Sequence, residues 1–143
     1  MSAVDYPHVG RGWAFPPRWE MHEAREGHPA GATLDLNDGV PHVQEAMRLV
    51  LRTSLGERVM RPTLGAGVDR YVFESRTVET CHRLAHDVER ALLLWEPRVI
   101  VDGVTAVPAG AADDRIDVRI DYRIDRHRRP DSLIVPFYVE VAE

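Results

Sequence analysis

Arg115-Ile116-Asp117-Val118-Arg119-Ile120-Asp121-Tyr122-Arg123-Ile124-Asp125 alternates without a break. In an extended chain, Ile116, Val118, Ile120, Tyr122 and Ile124 face one way, and Arg115, Asp117, Arg119, Asp121, Arg123 and Asp125 face the other. A period of two with charge at every second position predicts an antiparallel strand with one buried and one wet face. Upstream, Val99 to Val107 reads as a neighbouring strand, interrupted at Asp102-Gly103. Downstream, Leu133 to Val141 reads as another, with Leu133, Val135, Phe137, Val139 and Val141 inward. Pro136 has no amide proton, so this last strand belongs at an edge or a bulge.

Two helices precede the strands. Asn37 or Asp38 can cap the first, whose apolar positions Val40, Val43, Ala46, Met47, Val50 and Leu51 form one stripe. It should stop near Ser54, before Gly56. The second runs from a Thr77 cap to about Trp95, with Val78, Cys81, Ala85, Val88, Leu92 and Trp95 on its apolar face. Glu79–Arg83 and Arg83–Asp87 are spaced for ion pairs on its solvated side. Pro97 ends it by biasing Glu96 away from helical geometry. Thr33 to Leu36 reads as a short strand, Val59 as part of another, and Val68 to Phe73 as a helical turn that packs aromatics.

The fold class is therefore α+β: an antiparallel sheet of about three to four strands packed on two helices. Residues 1–31 differ from the rest. They hold Pro7, Pro16, Pro17 and Pro29 and show no clear period, which reads as an extended N-terminal arm before a single domain over 32–143. The aromatic stretch Gly12 to Trp19 should pin onto the domain or a partner, and Glu20 to Gly31 should be a loop.

The 143 residues suffice for one domain with a core of its own. The net charge of −5 argues against a broad nucleic-acid-binding face. All 18 basic residues are arginine, so lysine chemistry such as a Schiff base or a phosphate-loop lysine is excluded. Cys81 is the single cysteine, which rules out an intrachain disulfide and reads as core. The N-terminus has no apolar signal core and no run reaches membrane-spanning length, so assembly in the cytoplasm without membrane insertion is expected.

Gly12-Trp13-Ala14-Phe15-Pro16, Leu51-Arg52-Thr53, Gly56-Glu57-Arg58 with Pro62 and Gly65, Phe73-Glu74, and Trp95-Glu96-Pro97-Arg98 occur in that order. This ordered set resembles the lysozyme-like baseplate wedge family of contractile phage tails, with similar subunits in type VI secretion and extracellular contractile injection systems. The resemblance covers roughly residues 10 to 141. It implies a structural, non-enzymatic baseplate subunit that resembles the conserved domain of the sheath protein. Such a subunit links the larger wedge proteins to the first sheath ring and templates sheath assembly. The implied partners are the sheath protein, the wedge proteins and, as a further candidate, the spike or hub, with on the order of six copies around a ring. No cofactor, metal or nucleic acid is implied. The candidate partner-binding residues are Glu96, Pro97 and Arg98, then Gly56, Glu57 and Arg58, then Trp13 and Phe15. The Glu20 to Gly31 stretch is long for the family pattern.

The alternative function is peptidoglycan hydrolysis, which needs two carboxylates flanking a sugar, one of them with a raised pKa. Glu57, Glu74 and Glu96 are the candidates. Glu57 and Glu96 each lie within two residues of an arginine, which lowers a carboxylate pKa, the wrong direction for a general acid. His82 and His86 lie four apart with Glu79 one turn earlier, a spacing that could seed a metal site, but no third cluster matches it. Asp125 to Asp131 reads as a basic surface hairpin loop, and Gly65-Ala66-Gly67 as a turn.

Overall fold

A computed structural model describes residues 6–27, 29–110, 114–124 and 130–138. Two compact units divide the chain, Met1–Glu45 and Ala46–Glu143. The first helix, α1 (Gly39–Arg52), contributes residues to both.

The first unit holds four short strands: β1 (Arg11–Trp13), β2 (Trp19–His22), β3 (Gly31–Leu34) and β4 (Leu36–Asp38). They make two antiparallel ribbons, β1 with β4 and β2 with β3. Trp13 stands opposite Leu36, and Trp19 opposite Leu34. The expected loop from Glu20 is thus corrected, since Glu20, Met21 and His22 pair with Thr33, Ala32 and Gly31. All four residues of β2 are exposed, and its alternation of Trp19 and Met21 with Glu20 and His22 is too short to stand out in the sequence. A Cβ on Gly12 would lie 2.1 Å from the His42 ring, so glycine is what lets β1 approach α1.

The second unit holds the sheet. β5 (Ile100–Ala109), β6 (Arg115–Arg123) and β7 (Asp131–Tyr138) follow one another as antiparallel neighbours in the order β5-β6-β7. The alternation in β6 does what its period requires. Ile116, Val118, Ile120 and Tyr122 are fully buried, while Arg115–Asp117 and Arg119–Asp121 form ion pairs on the other face. Asp102 sits at a register shift between Val101 and Gly103, where its carboxylate takes a bidentate grip from Arg123. The interruption foreseen at Asp102-Gly103 is this bulge. Pro136 lies opposite Asp117 in β7. With no amide proton it suits only a non-hydrogen-bonded pair, so its missing donor costs no ladder bond. The reading of this strand to Val141 runs past Tyr138 into residues outside those described, as does the basic loop at 125–129.

α2 (Val78–Trp95) packs on β5. Its Thr77 cap is as expected: the hydroxyl oxygen accepts from the Thr80 amide at 3.1 Å. Cys81, Leu84, Ala85, Val88 and Leu92 are buried, whereas Val78 is 75% exposed because it sits in the first turn, beyond the covered face. The expected Glu79–Arg83 and Arg83–Asp87 pairs give way to tertiary ones, Arg83 with Glu74 and Asp87 with Arg70. Partners fixed by the 3-10 turn Val68–Tyr71 and the link after it outcompete neighbours on the helix surface. Val59 is not in a strand; it is 92% exposed at the tip of a turn.

Candidate assembly interface

The Glu96-Pro97-Arg98 triplet forms the corner between α2 and β5. Pro97 ejects Glu96 from helical geometry, leaving it at φ −125° and ψ 73° with its amide still bonded to the Leu92 carbonyl. The Glu96 residue is only 3% exposed. Its carboxylate is satisfied by Arg98, whose Nε donates to Oε1 and Nη2 to Oε2, both at 2.6 Å. That grip holds the Arg98 guanidinium above its ordinary pKa, against a smaller opposing effect of burial. The triplet is therefore built around an internal ion pair, with Pro97 exposed beside it.

Gly56-Glu57-Arg58 opens a closed loop. The Gly56 amide donates to the Pro62 carbonyl at 2.8 Å, and the Glu57 carboxylate accepts from the Ser54 amide at 3.0 Å. The tip presents Val59 and Met60, 92% and 89% exposed, a feature the motif alone did not reveal. The loop returns through Gly65, where φ is +126° and a Cβ would lie 2.2 Å from the Thr53 carbonyl oxygen. Leu55 and Trp95, the residues preceding the two motifs, line one groove of about 420 Å³ together with Pro62, Ala66, Ala91 and Leu94. The six motif residues themselves do not line this groove; only their sequence neighbours Leu55 and Trp95 do.

Trp13 and Phe15 belong to the other unit. They are 70% and 59% exposed, beside Leu36 at 50%. Ala14, between them, is buried, and the Glu45 carboxylate fixes the segment by accepting from the Phe15 amide at 2.6 Å and the Asn37 side chain at 2.7 Å. Alternation from Gly12 to Phe15, at the end of β1 and just past it, therefore turns Gly12 and Ala14 inward and Trp13 and Phe15 outward.

A further network was hidden in the sequence. The Tyr71 hydroxyl and Arg70 both donate to Asp87, and Arg70 and Arg83 lie over the Tyr71 ring. Burial, reinforced by the bond to Asp87, pushes the Tyr71 pKa up. The carboxylates suspected of catalysis are engaged: Glu96 with Arg98, Glu74 with Arg83 and Glu57 with the Ser54 amide. Among the described residues no group of three metal-ligating side chains converges.

The three-stranded sheet, the two helices and the N-terminal ribbons make an α+β protein. The chain belongs to the baseplate wedge protein gp25 family, whose model matches residues 37–129. It is 30% identical to baseplate protein W of Escherichia phage P2 over 95 residues, which cover 66% of this chain and 81% of that protein. A crystal structure of a putative tail lysozyme from Geobacter sulfurreducens is 35% identical, with a TM-score of 0.68, and matches 78% of this chain and 100% of that one. The baseplate of the anti-feeding prophage, solved by cryo-EM with 6-fold symmetry, contains a chain of the same fold. That chain is 24% identical, with a TM-score of 0.61 over 94% of this chain and 90% of its own length.

Proposed function

We propose that this chain is a structural subunit of a contractile injection system, joining the wedge proteins to the first sheath ring and templating sheath assembly. Membership of the wedge family supports the setting. The observation that carries the templating role is the free edge of β7, which pairs only with β6 among the described residues. An uncovered edge is normally blunted unless a partner completes it. Each edge carries a proline, Pro108 in β5 and Pro136 in β7, but β5 also carries a bulge, whereas β7 keeps an unbroken register from Asp131 to Tyr138. An extended terminus of a sheath subunit can join β7 by strand addition. Several such contacts around a ring reinforce one another. The Glu96-Pro97-Arg98 corner and the Gly56-Glu57-Arg58 loop, whose preceding residues Trp95 and Leu55 line one groove, form the wedge-binding side, and Trp13 and Phe15 offer a further contact. Particles assembled without this chain should contain baseplate and tube but no sheath. Full-length sheaths growing from baseplates that lack it would overturn the proposal.

Peptidoglycan hydrolysis is the second reading, favoured only by the name of the Geobacter sulfurreducens protein. The engaged carboxylates oppose it.

A further inference from the structure

An apolar cleft of about 200 Å³ opens on the helix-covered face of the sheet, beside the end of β7. Its floor is core: Leu51, Leu84 and Ile116 are each 2% exposed or less. Val72, Phe137 and Ser54 stand at its walls. Ile116 and Phe137 are cross-strand partners, so the cleft lies under the very face that a strand added to β7 would have to cover. Such a strand turns every second side chain toward that face. The free β7 backbone says that the occupant is extended chain. The apolar lining says that the inward side chain is a hydrocarbon, and the volume suits one Leu or Phe, since a cavity of about 150 Å³ already holds benzene.

We infer that this cleft is a socket for a single Leu- or Phe-sized side chain carried by the strand that joins β7. The inference rests on the strand-addition reading and sharpens it: the ladder supplies general affinity, and the socket fixes the register of the incoming strand. A one-residue slip would turn the anchoring side chain away from the cleft.

Two filled variants, Val72→Trp and Ser54→Trp, test this against the cognate sheath protein. Each should melt near the wild type yet bind sheath at least about tenfold more weakly, the scale set by losing a well-buried apolar anchor. In parallel, benzene titrated into the wild type should shift the methyl resonances of Leu51, Leu84 and Ile116 saturably, and should not do so in the variants. If β7 gains protection on sheath binding but the filled variants bind as tightly as the wild type, the socket is wrong and strand addition stands. If β7 gains no protection, strand addition fails and the socket falls with it. Should neither variant fold, the wild-type benzene titration decides, and an absence of saturable shifts overturns the socket.

Discussion

Arg98 holds Glu96 with two parallel hydrogen bonds of 2.6 Å across the corner where α2 turns into β5. Because the carboxylate is buried, removing its partner leaves a desolvated charge. Arg98→Ala should therefore lower stability by about 3 kcal/mol in urea denaturation. Arg98→Lys keeps the charge but loses the planar fork. It should cost less than Arg98→Ala and still fail to enter baseplates if the guanidinium also meets the wedge proteins. A variant that assembles normally would confine the pair to an internal role.

Tyr71 and Arg70 share the Asp87 carboxylate. Tyr71→Phe removes one charge-assisted hydrogen bond and should cost about 1.5 kcal/mol. Asp87→Ala strips both donors and should cost more. Equal losses from the two substitutions in chemical denaturation would show that Tyr71 carries the whole contact.

Alkaline pH should weaken the fold in two stages. Burial raises the pKa of the Cys81 thiol, and burial with the Asp87 bond raises that of Tyr71. Each group in the unfolded chain loses its proton first. The stability each contributes is full below its unfolded pKa, about 8.5 for the thiol and about 10 for the phenol, and is lost as pH rises toward the higher folded value. Cys81→Ala should remove the first decline from a plot of melting temperature against pH, and Tyr71→Phe the second.

Purified protein should release no dye from labelled cell wall. Glu96 is gripped by Arg98, and Glu74 is paired with Arg83. Release that disappears in Glu57→Gln or Glu96→Gln would establish a hydrolase.

The sheet and both helices are legible because most of their periods are long, broken only at Asp102-Gly103 in β5. β6 alternates over its whole length, and α2 repeats its buried stripe over 18 residues. The N-terminal ribbons are not, since strands of three or four residues are too short for a period to stand out. The motif residues of the candidate site are visible in order in the sequence, and the structure places their neighbours Leu55 and Trp95 in one groove. What the motifs could not show was that Glu96 is buried against Arg98, or that Val59 and Met60 form an exposed tip rather than a strand. Both depend on where Pro97 and the closed loop direct the chain in three dimensions. The Tyr71 network joins residues 16 or 17 positions apart, beyond any helical spacing.

The most direct measurement of the templating role is amide hydrogen exchange of this chain with and without its sheath protein. Strand addition predicts new protection along β7, centred on the amides of Ile134 and Tyr138 that flank Pro136 on the edge. Protection confined to α1 and α2, with β7 exchanging as in the free protein, would contradict it.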